Sequence, residues 1–317
     1  MVGFNKDWVA VTANMFTNGS NFANARIWVF NKTNLYAGGT NRTVFTDTRK
    51  VSSLAPALTY DTNLARLYML AVWSPTNGML ASYYITGPVT APTLVVTNAF
   101  PTITNTIGGW RHNSTSGPFG PQLSNTVVNV KLVLGDSRIG SPVTYRNGSL
   151  WCAHMVYLPK AGSTENAAIQ WWQIPVSTFR PVQYGRIYDP SFVKQYGFPS
   201  LAVNRFNDVL IGFTRCGDDQ FPSADYTYRD TCDPINSSVR TDVFVYLTEQ
   251  ATLTGLGYYP TQLLTEVKGI TGANYVVEAS TNLINWVAIQ TNQTTFTNID
   301  TSVTNKPYRF YRALYQP

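Results

Sequence analysis

An all-β fold is what this sequence predicts, and three observations predict it. A hairpin-like phrase recurs four times, strand-forming residues fill the stretches between turns, and no stretch carries a convincing amphipathic helical pattern. The four copies are "GFNKDWVAVTANMF" (3–16), "LTYDTNLARLYMLAVW" (58–73), "VTYRNGSLWCAHMVYL" (143–158) and "LAVNRFNDVLIGFTR" (201–215). Each places Asn, Asp or Gly between two apolar runs, the residues that tolerate the backbone angles of a tight turn.

A third strand is expected after each hairpin. It reads as "ARIWVFNK" (25–32), "LASYYITG" (80–87), "AIQWWQIP" (168–175) and, after an insertion, "DVFVYLTE" (242–249). Another strand-like segment, "TVVNVKLVL" (126–134), falls in the wide gap between the second and third copies. Repeats at or near the roughly 40–50 residues of a propeller blade point to a β-propeller over residues 1–260, with the blade number left open. An irregular sandwich or a β-helix is the alternative, and a β-helix would show shorter, stricter periods. From 261 the pattern changes to short alternating strands at 275–280, 286–290, 294–299 and 308–314, which reads as a small fibronectin-like β-sandwich over 261–317.

Composition narrows the function classes. Of the 317 residues, 44% are hydrophobic and only 13% charged, against about 25% in ordinary globular domains. Asn, Thr, Ser and Tyr carry the polarity, which suits an extracellular or surface protein. The net charge of +6 is spread along the chain without a run of five like charges, so no nucleic-acid partner is expected. No apolar run of about 18 residues predicts a membrane span. Met1 leads directly into "VGFNKDWVAVTANMF" with no signal-peptide pattern, so the chain reads as beginning inside a fold. Cys216 and Cys232 bracket "CGDDQFPSADYTYRDTC", where a disulfide is plausible in an oxidising compartment, whereas Cys152 reads as a small buried strand residue.

Few residues suggest chemistry. The chain has two histidines. His112 sits in a Gly/Ser/Asn loop. His154 lies in a strand and reads either as a hydrogen-bonded structural residue or as a general base, since imidazole titrates near neutrality. No G-x-S-x-G elbow, HExxH, zinc spacing or phosphate loop occurs. The acidic exception is the 216–233 stretch, with Asp218, Asp219, Asp225, Asp230 and Asp233. Calcium takes about six to eight oxygen ligands, so these five read as a candidate Ca²⁺ site, the alternative being a solvated loop. Asn14, Asn204 and Asp208 at strand ends are a second possible source of ligands, though Asp208 reads first as a turn residue. Trp171-Trp172 and Tyr83-Tyr84 suggest sugar platforms, but adjacent strand residues face opposite ways, and core packing is the better reading.

The segments "GFNKDWVAVTANMF", "IWVFNKTNLYAGG", "YRNGSLWCAHMVYLP" and "FPSLAVNRFNDVLIGFTR" resemble those of a family of exported bacterial β-propeller proteins of little assigned function. The tail "YVVEASTNLINWV…YRFYRA" is similar to C-terminal sandwich modules on secreted proteins of Verrucomicrobia-type bacteria. The resemblance covers roughly 3–235 and 262–317. It implies export to the cell surface or medium, and more propeller before Met1. After about residue 236 the family's closing segment, rich in Gly, Asp and Trp, is not recognisable. "TYRNGSLW" matches a sialidase-type turn at Thr144, Gly148 and Trp151, but Arg146 stands where that turn has Asp.

Two functions are expected on these grounds. One is an extracellular, calcium-dependent hydrolase of small esters or lactones, with His154 as base, by analogy with propeller lactonases that polarise a carbonyl with an axial calcium. The other is a noncatalytic surface protein whose propeller binds a glycan or a protein. The scarcity of histidine and of a clear acid/base pair favours the second, but the hydrolase is the sharper claim and is the expected function, with the noncatalytic binder as its alternative.

Overall fold

The computed structural model is all-β, and it describes residues 1–47, 49, 51–97, 109–111, 120–121, 131–158, 166–231, 233, 240–243, 252–259, 262–268, 274–282, 284–293, 295–302 and 309–316. The contacts divide the chain into two units, Met1–Val245 and Tyr246–Pro317. Among the described residues no helix is long and apolar enough to cross a membrane.

The larger unit is four successive antiparallel groups of four strands. The first holds β1 (Val2–Phe4), β2 (Trp8–Thr17), β3 (Asn21–Asn31) and β4 (Arg42–Thr46), with a five-residue helix, Lys32–Tyr36, after β3. The second holds β5 (Ala55–Leu58), β6 (Leu67–Ser74), β7 (Met79–Thr86) and β8 (Thr93–Val96). The third holds β9 (Val143–Arg146), β10 (Ser149–Leu158), β11 (Asn166–Pro175) and β12 (Gln183–Ile187). The fourth holds β13 (Gln195–Val203), β14 (Val209–Gly217), β15 (Gln220–Arg229) and β16 (Arg240–Val243).

The predicted hairpins are the first two strands of each group, and their turns are fastened as the sequence suggests. Asn5 Oδ1 accepts from the Asp7 and Trp8 amides, and Asn204 Oδ1 accepts from those of Phe206 and Asp208. Asn147 (φ 48°) and Gly148 (φ 75°) form a two-residue turn with both angles positive, the geometry that an Asn-Gly pair adopts most readily. The first strands of the first three groups run parallel, Phe4 opposite Leu58 and Leu58 opposite Thr144. Gly3 permits this approach, because a Cβ there would lie 2.5 Å from Pro56 Cβ.

Burial explains why the apolar pattern changes along the chain. Leu150, Cys152, Val156 and Trp172 pack toward the second group, with Tyr68, Leu70 and Leu80. Trp151, Ala153 and Trp171 pack toward the fourth, with Tyr196, Ile211 and Phe213. Strands covered on both faces have no polar side to show, so β6, β10 and β11 are almost continuously buried. β2 and β14, in the outer groups, alternate over most of their length. Trp171 and Trp172 thus belong to two different cores, and Tyr83 lies in a third with Trp8 and Met69.

The fourth group differs from its expected form. Its third strand is β15, which occupies the stretch read as an Asp-rich loop, while 242–243 fall in the fourth strand, β16, and 244–249 lie outside the described residues. Most of the strand-like 126–134 segment and all of His112 also lie outside them.

The smaller unit contains β17 (Thr252–Tyr259), β18 (Gln262–Lys268) and β21 (Phe296–Asp300) in one sheet. Its other sheet contains β20 (Val287–Gln293), β19 (Asn274–Ser280) and β22 (Phe310–Gln316). Val267 and Phe296 from the first sheet and Tyr275 and Val277 from the second share one buried cluster. The sequence reading divides the chain at 260/261, whereas the contacts divide it at 245/246 because β17 ladders onto β18, and β18 onto β21.

Asp300 fastens the C-terminal strand. It accepts from the Ser302 amide and hydroxyl at 2.8 and 2.7 Å, from Tyr311 Oη at 2.9 Å and from Arg309 Nε. Burial works to raise its carboxyl, but the bonds from Ser302, Tyr311 and Arg309 outweigh that and hold it below the usual carboxylate range. A depressed carboxyl stabilises the fold above its unfolded value, about 3.9, and that contribution fades as pH falls through the folded value. The smaller unit should therefore become easier to unfold in urea as pH falls from 5 to 2. Asp300→Asn should flatten that dependence, and an unchanged pH profile in the variant would reject this assignment.

Candidate functional site

A cleft of about 530 Å³ opens where the first strands begin, within the roughly 300–1,000 Å³ of ordinary ligand sites. Met1, Ser53, Ser141 and Phe198 line it, together with Asp136, Arg138 and Ile139 from the segment that precedes β9. Its walls are mostly apolar, and its strongest polar feature is the Asp136–Arg138 ion pair at 3.2 Å. Arg138 Nε is buried without a hydrogen-bond partner, while the side chain as a whole is partly exposed.

Two side chains at this cleft sit on backbone that L residues rarely adopt. Ser53 has φ 57°, and two bonds with Asn14 hold it there: Ser53 N donates to Asn14 Oδ1 at 2.7 Å, and Asn14 Nδ2 donates to Ser53 Oγ at 3.1 Å. Phe198 has φ 50° and is 59% exposed. It stands in a bulge of β13, where pairing with β14 shifts between Gly197 and Ser200. Pro199 has no N–H to give that ladder, which is the local reason for the bulge. Strain of this kind, of order 1–3 kcal/mol for each residue, clusters at binding sites when the surrounding structure enforces it.

His154 forms part of the cleft wall yet is 1% exposed. Its Nδ1 lies 2.9 Å from the Met155 carbonyl oxygen, so Nδ1 carries the proton. Its Nε2 accepts from Trp172 Nε1 at 3.0 Å, with the two ring planes 6° from parallel, as suits an in-plane hydrogen bond. Both nitrogens are committed inside the core. The general-base role expected from sequence needs a lone pair open to a substrate, and Trp172 occupies it. His154 therefore serves as a packing and hydrogen-bonding residue.

The five aspartates do not form one site. Asp218 and Asp219 occupy the β14–β15 turn, and Asp230 and Asp233 the far end of β15. Ten residues of strand rise roughly 30 Å, whereas calcium ligands stand about 2.3–2.6 Å from the ion. Asp219 pairs with Lys194, whose hydrogen bond holds its carboxyl below the usual range. Asp230 and Asp233 bond each other's amides at 3.0 and 3.2 Å. Asp225 is buried, with Oδ2 3.5 Å from Arg215 Nη1. Among the described residues no group of three or more His, Cys, Asp and Glu could hold a metal ion. The expected strand-end ligands separate as well: Asn14 bonds Ser53 behind the cleft wall, while Asn204 and Asp208 bond each other in the β13–β14 turn.

Neither described cysteine is placed to react. Cys152 and Cys216 are buried thiols, Cys216 pushed up to about 11 and Cys152 higher still by burial alone. Cys232, and with it the expected bridge, lies outside the described residues.

Sequence reasoning missed Phe198, Ser53 and the Asp136–Arg138 pair. Only Phe198 had a signal, since "GFP" interrupts an otherwise regular strand with a residue that breaks the ladder. No protein-family model matches this chain and no curated protein matches it in sequence, so its site is read from its own geometry.

Proposed function

We infer that the chain is a noncatalytic binding protein of the propeller type, exported, whose larger unit takes a glycan in the cleft at the starts of its first strands. Four consecutive four-stranded antiparallel groups, with parallel first strands in three of them, support the propeller reading. The two three-stranded sheets around one cluster support a small sandwich, as a spacer or attachment module.

The observation that carries the functional reading is Phe198. An exposed aromatic ring on enforced, strained backbone, beside an ion pair in an open cleft, offers a stacking face next to groups that bond hydroxyls. Acid/base chemistry has less support. Asp136 is tied to Arg138, and His154 to Trp172 and Met155.

Phe198→Ala should weaken binding of a saccharide found on a glycan array at least tenfold by calorimetry, with thermal unfolding unchanged or slightly raised. Unchanged affinity in the variant would remove the cleft from consideration. Hydrolysis of small esters or lactones that disappears in a folded His154→Gln variant would overturn the noncatalytic reading.

A further inference from the structure

A second cleft, of about 440 Å³, opens at the opposite ends of the first strands. β5 and β9 pair in parallel at Ala57–Val143 and Leu58–Thr144. Each strand must then turn back toward its own antiparallel partner, so the two chains part and leave a wedge. Thr59, Tyr60 and Asp61 line one side, and Tyr145, Arg146 and Asn147 the other.

Three features of this wedge point to a ligand. Arg146 lines the wedge and is half-buried, and no carboxylate among the described residues forms an ion pair with it. A guanidinium in that state suits a planar anion that accepts two parallel hydrogen bonds. Tyr60 is 89% exposed, yet its ring is braced edge-on against Phe4 at 5.3 Å, so a flat aromatic face is held ready beside the cation. The wall is also pre-set. Asn147 Nδ2 donates to Arg205 O at 2.9 Å and to Asn207 Oδ1 at 2.8 Å, tying the Arg146 turn to the next group.

A cation for a carboxylate, an aromatic face for the apolar side of a ring, and the exposed Asp61 carboxylate for ring hydroxyls describe one ligand class. We propose that this wedge binds a uronic-acid residue of an acidic polysaccharide, with its carboxylate on Arg146 and its ring against Tyr60. The site is separate from the cleft at Phe198 and does not rest on the reading of that cleft.

The test is calorimetric titration of the full chain with a trigalacturonate, with the corresponding neutral trisaccharide, and with sodium acetate. The acidic trimer should bind at least tenfold more tightly than the neutral one, and acetate should compete only weakly. Arg146→Gln should erase the preference for the acidic trimer, Arg146→Lys should restore part of it, and Tyr60→Ala should weaken the trimer at least fivefold. Phe198→Ala should leave all these values unchanged, which separates this site from the first cleft. The proposal fails if the folded protein binds neither trimer or does not distinguish them, or if acetate competes as well as the acidic trimer. An Arg146→Gln variant that keeps the preference while its thermal unfolding matches the parent would also overturn it.

Discussion

Replacing Trp172 with alanine is expected to lower the stability of the larger unit by about 3–5 kcal/mol, read from urea unfolding. The side chain is fully buried between the second and third strand groups, against Tyr184 at 5.9 Å and Trp110 at 6.3 Å. Its loss removes apolar burial, opens a cavity and deprives His154 Nε2 of its donor. Trp172→Phe separates these effects. It refills most of the space but removes the indole N–H that His154 Nε2 accepts from, so about 1–3 kcal/mol should remain lost. A Trp172→Phe variant as stable as the parent would show that the Trp–His hydrogen bond contributes nothing, and would reopen His154 to other roles.

Asp225→Ala should destabilise the same unit by about 3–5 kcal/mol, because it leaves a buried guanidinium without this carboxylate. Replacing both partners, Arg215→Met with Asp225→Leu, should recover most of that loss, since removing a whole buried pair is far less costly than removing half of one. A calcium site at Asp225 makes the opposite demand. It requires the protein to lose thermal stability when a chelator is added, and the double variant to be insensitive to calcium. The strand geometry predicts that a chelator leaves the melting temperature of the parent unchanged, and a drop of several degrees would overturn this account of Asp225.

Much of the fold was legible because turn chemistry and apolar alternation act locally. Asn5, Asn147-Gly148 and Asn204 mark turns by what their own side chains and backbones can do, and the structure uses them so. The strands of the smaller unit at 274–280 and 310–316 were legible for the same reason. β15 was not. Its alternation is broken by Asp225, and a carboxylate in a strand reads as surface or loop until Arg215, ten residues away on β14, is known to face it. The short outer strands β4, β8 and β12, of four or five residues, carry too little pattern to stand out from loops.

The sequence by itself determined the all-β class, the repeated hairpins and the burial of the tryptophan pair, since residue type, local turn geometry and the two-residue period suffice for these. Only the tertiary structure decided which residues are neighbours across groups. It drew His154 into a bond with Trp172, spread the five aspartates over β15 and the turns at its two ends, and set Phe198 and Arg146 in clefts at opposite ends of the first strands. The physical reason is that a strand's own pattern says which side of it is apolar, whereas a site is made by the ends of several strands whose approach depends on the packing of whole sheets.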